Sequence, residues 1–415
     1  MLPLLPASSI ASLGSNLFND DKPQWNITVV GYFGTLNTFD TNTFLRDELT
    51  LTDTVRITTG RHNISIGGEV GRGVGDVRNN FRANGQWNFN GVAPFTTDSL
   101  ADFMIGRFNS LVQGIGEYRD TRFDRYALFA QDDWKVARRL TLNLGVRWEP
   151  FVPYTDLEDR LAVWRPGERS TRYPNAPLGL RYAGEPDLPE GAIGARWGYF
   201  APRVGFAWDV FGDGKTALRG GYGIFYDQLN TIALNNQANQ APFGTVVTTF
   251  GNANNSFANP YAGIANPFPA PLNPSADAVF PNFSTHQPYS PDFQGPYVQN
   301  WNLTLEREVG LGFVGRASYA ASKGTRLGVI REGNAAVYAP GATTATTNQR
   351  RPYAPALGSL NFIDPTSNST FHALQLTADR RFSKGFSLLM NYQWSKAIDD
   401  ASDTGADRCS AHESV

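Results

Sequence analysis

The sequence of 415 residues contains little of what most catalytic and metal sites require. Its one cysteine, Cys409, excludes a disulfide within the chain and a cysteine-based zinc site. Cys409 lies in a polar terminal segment, so an incidental residue is a better interpretation than a catalytic thiol. Charged residues make up 18% of the chain and the net charge is −2. This balance gives no electrostatic reason to expect a nucleic-acid partner.

Long hydrophobic runs are also missing. No apolar run reaches the roughly 18 residues of a transmembrane helix, so the sequence predicts none. The apolar start at residues 1–6 is short and has no positively charged region, so it does not have the pattern of a signal peptide. If the remainder indicates an exported protein, we expect the true N-terminus to lie upstream of this sequence.

Aromatic residues and glycine are abundant, with 28 Phe, 16 Tyr, 9 Trp and 41 Gly. The clearest pattern among them is an alternation of period two, which predicts strands with one apolar and one polar face. In residues 140–149, leucine, valine and tryptophan alternate with Thr, Asn, Gly, Arg and Glu. The same alternation occurs at 49–57, 203–209, 301–306 and 386–394.

These strands form hairpins with tight turns, where Gly and Asp supply the positive φ that short turns need. The predicted pairs are 47–57 with 62–71, 122–135 with 140–149, 202–210 with 216–226, 299–308 with 312–321, and 372–382 with 386–395.

The connections between hairpins are long and have no sustained period, at 150–200, 228–297 and 323–370. Such loops are unusual in a compact domain. A transmembrane β-barrel expects them, with short periplasmic turns and long extracellular loops. A soluble sandwich or propeller is the alternative. Strands of ten or more residues, hydrated polar faces and aromatics near strand ends (Trp148, Trp301, Trp394, Tyr226) favour the antiparallel barrel.

We expect three regions. Residues 1–24 have no clear assignment, residues 25–397 form the β-barrel part, and residues 398–415 form a disordered polar tail. Within 91–120, Asp98 or Ser99 could cap a short helix, which lies either across the barrel mouth or in a periplasmic connection.

Several blocks of this sequence resemble one family in both order and spacing. Residues 60–69 (GRHNISIGGE) resemble its "GRHxLKFGGE" hairpin, and 125–149 resemble "FxQDDWRV…RLTLNLGLRYE". Residues 201–227 resemble "APRxGFAYD…GKTVLRGGYGIFYD", and 372–376 and 392–397 resemble "YHALQ" and "YTWSKA". Together they resemble the Oar-like β-barrel of TonB-dependent outer-membrane receptors.

The resemblance implies a barrel of about 22 strands, of which this chain would supply about 10–12. It also implies a plug domain through which the TonB complex acts, and we expect both the plug and the last strands to be absent from this sequence. The implied partners are outer-membrane lipid, TonB and an unidentified solute, and the implied location is the outer membrane of a Gram-negative cell.

No constellation of catalytic, cofactor or metal-binding residues emerges, and the substrate-binding residues stay unassigned. Asp132 and Asp133 are adjacent on a strand and therefore point to opposite faces. Gly71-x-Gly73-x-Gly75 lacks the spacing and the helix of a dinucleotide loop. The remaining candidates are four histidines without metal-ligand spacing (His62, His286, His372, His412), an acidic stretch at 399–407 that lacks the calcium-loop pattern, and aromatic and Asn residues of 228–297 that could stack on sugars.

The sequence therefore supports three functional hypotheses. The first is TonB-coupled uptake of a bulky solute such as a siderophore, an oligosaccharide or a peptide. The second is a barrel that displays its loops for adhesion or surface organisation. The third is a secreted β-rich binding module or hydrolase, which would require a soluble monomer with a clustered site.

Overall fold

The computed structural model describes residues 26–34, 43–79, 85–92, 95–228, 234, 237–244, 246–257, 259–263, 266–268, 273–343, 346–383 and 385–400. Its secondary-structure elements in chain order are β1 (Asn26–Val29), β2 (Phe33–Gly34), β3 (Thr43–Thr59), β4 (His62–Asn79), β5 (Gln86–Phe89), α1 (Ser99–Met104), β6 (Ser110–Gly114), β7 (Glu117–Ala137), β8 (Leu140–Trp148), β9 (Thr155–Asp156), β10 (Ala162–Trp164), β11 (Leu180–Tyr182), β12 (Phe200–Asp209), β13 (Thr216–Tyr226), β14 (Val246–Phe250), β15 (Ser284–His286), β16 (Tyr297–Gly310), β17 (Phe313–Glu332), a 3-10 helix (Asn348–Arg350), β18 (Leu357–Ser383) and β19 (Phe386–Asp399).

Ten long strands form one antiparallel sheet in which each strand pairs with the next long strand along the chain. The order is β3-β4-β7-β8-β12-β13-β16-β17-β18-β19, while β9 attaches to β7 and β15 to β18. Among the described residues β3 and β19 do not pair with each other, so the sheet is open. The all-β antiparallel architecture and the predicted range of 10–12 strands are confirmed.

All five predicted hairpins are present, and their tight turns lie at one end of the sheet. Gly60, Gly212, Gly214 and Gly385, which lie in three of these turns, have positive φ, a conformation that strains residues with a Cβ. The long connections lie at the opposite end. None of the described helices is long and apolar enough to cross a membrane.

Several strands extend further than the sequence predicted. β17 runs to Glu332 and β18 begins at Leu357, so half of the predicted loop at 323–370 is strand. The extension escaped detection because β17 and β18 have small and polar residues there, without contrast between faces. At the other end, β19 includes Ile398 and Asp399, two residues beyond the predicted boundary at 397. Residues 1–25 and 401–415 lie outside the described residues.

The sequence suggested that the connections at 150–200 and 228–297 are structureless, but in the structure they are ordered. Together with residues 333–364 they form two hydrophobic cores, and we refer to this assembly as the cap. Their fully buried side chains include Val163, Leu180, Tyr289 and Leu360. The cores form because apolar residues scattered without a period in sequence converge from three connections.

A second, five-stranded sheet has the order β14-β6-β5-β1-β2. Trp87, Phe89 and Leu111 are buried in its core. Helix α1 packs on β5 and β1, and the Asp98 side chain accepts a hydrogen bond from the Ala101 N–H at 2.8 Å. The predicted helix and its cap are therefore confirmed. Helix α1 lies in a connection at the long-connection end of the sheet, the end that the sequence predicts to be extracellular.

Candidate functional site

The strand register places apolar side chains on one face of the long-stranded sheet, which we call the outward belt. Across neighbouring strands, Leu128 pairs with Trp148, Leu144 with Val204, and Leu303 with Tyr319. The belt members on the ten strands include Leu49, Leu51, Val55, Ile57, Ile66, Val70, Leu128, Leu144, Val146, Trp148, Val204, Phe206, Trp208, Leu218, Tyr222, Trp301, Leu303, Leu305, Tyr319, Leu374, Leu376, Leu388, Met390, Tyr392 and Trp394.

These apolar side chains are not covered by protein. Leu49 is 81% exposed and Trp394 68% exposed, and most of the belt's other large residues are at least 37% exposed. Soluble monomers rarely expose a contiguous apolar patch of more than a few hundred Å². A face of this extent over ten strands requires hydrocarbon as its solvent. All ten strands reach the roughly 9–11 residues that cross a bilayer at a tilt, and seven of them are longer.

The outward face changes character near the long-connection end. On β4 and β7, Val70 and Tyr126 are followed by an ion pair between Arg72 and Asp124 at 3.8 Å. Further along the same face lie the pairs Arg122–Asp76 and Arg78–Asp120, each at 2.5 Å. Charges at this density are incompatible with hydrocarbon. The strands therefore continue beyond the membrane, and the predicted aromatics Trp148, Trp301, Trp394 and Tyr226 lie along this border.

The opposite face of the same strands is polar and would line the lumen of a barrel. Its acidic and basic side chains pair with each other, both across strands and along one strand, which suits a hydrated surface. The pairs on this face are Arg125–Glu48 at 3.2 Å, Arg147–Glu149 at 2.8 Å, Arg147–Glu69 at 3.4 Å and Arg316–Glu306 at 2.7 Å.

A hollow of about 280 Å³ lies on the lumen face, where β3, β4 and β7 meet the cap. We call it the mouth hollow. Its polar and aromatic lining is Arg46, Glu48, Arg119, Phe123, Arg125 and Tyr154.

The side chains of the mouth hollow are held from both the sheet and the cap. Tyr154 of the cap packs edge-on against Phe123 of β7, with ring centroids 5.6 Å apart. Gly73 makes room for that ring, since a Cβ at Gly73 would come within 2.1 Å of Phe123. Burial raises the pKa of Tyr154 and keeps its hydroxyl protonated, so it is available as a hydrogen-bond donor.

The charges at the mouth hollow differ in how far they are neutralised. Arg119 is only 3% exposed and lies 3.8 Å from Glu117. Burial raises the pKa of Glu117, and the nearby Arg119 acts against that rise. Arg125 is paired with Glu48. Arg46 is exposed and forms no ion pair with another described residue, so it is the cation most available to a solute.

The cap that covers this hollow contains two buried ionic clusters. Arg181 contacts Glu185, Glu168 and Asp187 at once, and its side chain is only 6% exposed. Burial alone would raise the pKa of Glu185, but hydrogen bonds led by the one from Ser170 lower it. In the second cluster, Arg160 bridges Asp156 at 2.8 Å and Asp120 of β7 at 2.6 Å. This bridge fastens the cap to the sheet.

A buried histidine also belongs to the cap. His286 of β15 is 3% exposed, and its Nε2 lies 2.8 Å from the Ser284 hydroxyl. Burial lowers the pKa of His286 to about 4. The imidazole is therefore neutral at physiological pH and takes part in packing rather than in binding an anion.

The adjacent aspartates of β7 lie on opposite faces, as predicted. On the outward face, Asp132 Oδ2 lies 2.6 Å from His62 Nδ1. On the lumen face, Asp133 accepts a hydrogen bond of 2.6 Å from the Asn143 amide. The two carboxylates therefore form no dyad.

The other sequence candidates are dispersed. Gly71, Gly73 and Gly75 lie within β4 rather than in the loop that the sequence suggested. His62, His286 and His372 lie on different strands, and no group of metal-ligating residues occurs in the described part of the chain. Cys409, His412 and all of the acidic stretch at 399–407 except its first two residues lie outside the described ranges.

Half of the ten aromatics of 228–297, which the sequence suggested for stacking on sugars, are unavailable for binding. Phe243, Tyr261, Phe268, Tyr289 and Phe293 are all buried in the hydrophobic cores. They hold the connections together rather than presenting ring faces to a solute.

The residues of the mouth hollow were missed from the sequence. Arg46, Arg119 and Tyr154 come from two strands and a loop separated by up to 108 positions, and no spacing rule relates them. The only local indication in the sequence was the position of Arg125 on the polar, lumen-facing side of an alternating strand.

The match to a family model agrees with this geometry. The sequence matches the family described as "Outer membrane beta barrel domain" over residues 5–414. No curated protein matches the sequence. Similar solved structures include the outer-membrane transporter YddB from Escherichia coli (12% identity, TM-score 0.42, 91% of this chain and 38% of that chain). Others are the copper transporter OprC (11%, 0.42, 86% and 39%) and the Pseudomonas aeruginosa ferripyoverdine receptor bound to ferripyoverdine (11%, 0.38, 86% and 33%). The chain thus spans about two fifths or less of the length of these proteins.

Proposed function

The chain belongs to the outer membrane beta barrel domain family, and from this premise we propose that it is part of an active uptake barrel for a bulky solute. The solute would bind at the mouth hollow under the cap and pass along the polar lumen face. The class of solute is a siderophore, an oligosaccharide or a peptide. Energy coupling would come from TonB acting on a plug domain, as the Oar-like blocks of the sequence imply.

One observation carries this proposal: the mouth hollow opens onto a continuous polar lumen face. Arg46, Arg125 and Tyr154 offer cationic and hydroxyl donors at the entrance. Donors of this kind bind carboxylates, hydroxamates and hydroxyl groups, which all three solute classes carry. The described residues contain no metal-ligating cluster and the hollow pairs no nucleophile with a base, so we propose binding and transport rather than catalysis.

A display role in adhesion or surface organisation is the alternative. It is favoured by the five-stranded sheet at the long-connection end, where Phe250 is 72% exposed and Met104 76% exposed. Uptake requires an energy source and the mouth hollow, whereas display requires neither.

The test is uptake by cells that carry the complete protein in its natural outer membrane. Labelled ferric siderophores, oligosaccharides and peptides would be offered with and without a protonophore. We expect accumulation of one class that the protonophore abolishes. We also expect at least a tenfold reduction in the double variant Arg46→Gln, Arg125→Gln.

The matched control is Arg138→Gln, Lys215→Gln, which removes two exposed cations at the tight-turn end and should leave uptake unchanged. Equal uptake by the mouth-hollow variant and the wild type would remove the hollow from the proposal. Absence of any protonophore-sensitive uptake, together with loss of cell adhesion on deletion of the gene, would establish the display role.

A further inference from the structure

The outward face carries a second charged region at the membrane border, on β17, β18 and β19. Lys323, His372 and Lys396 lie on the outward face of the sheet. The strand register places them opposite or next to outward-facing residues of the neighbouring strands. Arg326 joins them, with its guanidinium carbon 5.8 Å from the centre of the outward Tyr297 ring. We call these four residues the basic rim.

The basic rim lies directly beyond the aromatic border of the belt. Along β17 the outward positions are Tyr319, Ala321 and Lys323, and along β19 they are Trp394 and Lys396. Aromatic rings at this position occupy the boundary between hydrocarbon and headgroups. The ammonium groups one step further along each strand therefore lie at the depth of the headgroups.

No described residue of the chain neutralises the basic rim. Among the described residues, Lys323, Arg326 and Lys396 form no ion pair. On the far side of the sheet the opposite holds, since Arg72, Arg78 and Arg122 each pair with an aspartate on the same outward face. A charge pattern that balances itself on one flank and not on the other indicates that the second flank takes its counter-charge from outside the chain.

His372 adds a directed polar group to this site. Its Nδ1 lies 2.7 Å from the Tyr319 hydroxyl, with the two rings stacked at 6.0 Å. When Tyr319 donates to Nδ1, the imidazole proton lies on Nε2, where it can be donated to an acceptor in the headgroup layer.

The spacing of the rim suits a phosphate group shared between strands. Lys323 and Lys396 are two strands apart and staggered by two residues, which corresponds to about 12 Å between their backbones. Side chains of about 6 Å each can converge on one anion from both sides.

We propose that the basic rim binds the phosphorylated headgroup of an outer-leaflet glycolipid. A lipid headgroup is the occupant that the geometry favours, because the apolar belt immediately below holds the acyl chains of the same molecule in place. Phosphate oxygens are strong acceptors for ammonium and guanidinium groups in this partly dehydrated layer. This inference depends only on the location in the outer membrane and stands apart from the uptake proposal.

The test uses the complete protein purified in mild detergent and native mass spectrometry of retained lipid. The lipids offered are a bisphosphorylated lipid A and the same lipid with both phosphates removed. We expect the wild type to retain the phosphorylated lipid. The triple variant Lys323→Gln, Arg326→Gln, Lys396→Gln should retain about tenfold less. The dephosphorylated lipid should bind weakly to both.

The control Arg138→Gln, Lys215→Gln, Arg381→Gln removes three exposed cations at the tight-turn end and should bind like the wild type. The charge-conserving Lys323→Arg, Lys396→Arg should also retain the lipid. Heat-modifiable gel mobility confirms that each variant is folded. Undiminished retention by the triple variant, or equal binding of the dephosphorylated lipid, would overturn the proposal. Displacement of the lipid by 10-fold excess inorganic phosphate would also overturn it in favour of a free-phosphate site.

Discussion

The outward belt and the cap are built from the same apolar residue types in opposite environments. Leu303 of the belt is 48% exposed, whereas Leu360 of the cap is fully buried. Trp394 is 68% exposed and Trp164 only 4%. The belt is ordered by strand pairing and leaves its side chains to lipid, while the cap is ordered by the side chains themselves. Hydrophobicity alone therefore does not identify the interior of this protein. Whether an apolar residue is interior depends on whether lipid or protein surrounds it.

The two regions also treat charge differently. The outward belt has few charges between its aromatic borders, because hydrocarbon offers them no solvation. The cap buries charges and neutralises them internally, as Arg181 and Glu185 show, with Glu185 contacting Ser170, Tyr182 and Arg181 at once. The stability of the cap should therefore depend on a few polar contacts, and that of the belt on lipid.

The largest expected effect is on the cap's ionic cluster. Replacing Glu185 by Ala leaves Arg181 buried with less counter-charge, which should destabilise the cap by about 3–5 kcal/mol. Native-state hydrogen exchange over residues 150–200 measures this local free energy. The control is Asp187→Ala, which contacts the same Arg181 but is 65% exposed, so less than about 1 kcal/mol is expected. Equal effects for the two variants would contradict the buried-cluster interpretation.

Truncating the same residue type in each region should separate them further. Leu360→Ala creates a cavity in the cap and should cost about 2–5 kcal/mol of local stability. Leu303→Ala should cost only about 0.5 kcal/mol, because acyl chains fill the vacated space. Hydrogen exchange reports the first, and urea unfolding in lipid vesicles reports the second. A cost at Leu303 as large as that at Leu360 would mean that protein, not lipid, covers the belt.

A charge on the belt tests the same assignment from the other side. Leu303→Arg places a guanidinium against lipid and should destabilise the sheet by about 2–4 kcal/mol in vesicles. The neighbouring Asn302→Arg puts the charge on the lumen face and should change stability by about 0.5 kcal/mol. If the two variants unfold at the same urea concentration, lipid does not cover the belt; if Asn302→Arg is the less stable one, the two faces have been assigned the wrong way round.

The sheet could be predicted from the sequence because the patterns that specify its strands and turns each lie within a short segment of the chain. Each alternating segment, such as residues 140–149, reports its own two faces, and each glycine-containing turn fixes a pairing partner. The strand extensions above the membrane were missed because water or cap residues contact both faces there. Ser322 and Gly324 of β17 give no contrast between the faces for a pattern to detect.

The cap and the mouth hollow could not be predicted, because their contacts are long-range. Tyr154 meets Phe123 and Arg160 meets Asp120 only after two connections have folded over the sheet. The sequence showed these connections as aperiodic, which is true locally and says nothing about their convergence. Five of the aromatics in 228–297 that the sequence suggested as stacking surfaces are buried for the same reason, and sugar binding by the others stays a prediction.

The smallest expected effect is a loss of stability in acid that occurs in the cap and not in the belt. The pKa of His286 lies at about 4 in the folded cap, below its ordinary value of 6.5. Its contribution to stability is therefore complete above pH 6.5 and is lost as the pH falls towards 4, since the unfolded cap gains a proton that the folded cap does not. From pH 7 to pH 5 the cap should lose about 2 kcal/mol of stability because of His286.

His286→Gln, which stays neutral and can form a hydrogen bond to Ser284, should abolish that part of the loss when it is measured by hydrogen exchange. His372→Gln changes an exposed histidine outside the cap and should leave the acid sensitivity intact. An unchanged loss between pH 7 and pH 5 in His286→Gln would contradict the assignment to His286. The pKa of Glu185 is lowered from 4.5, so its contribution is lost only below that pH and cannot account for a loss in this window.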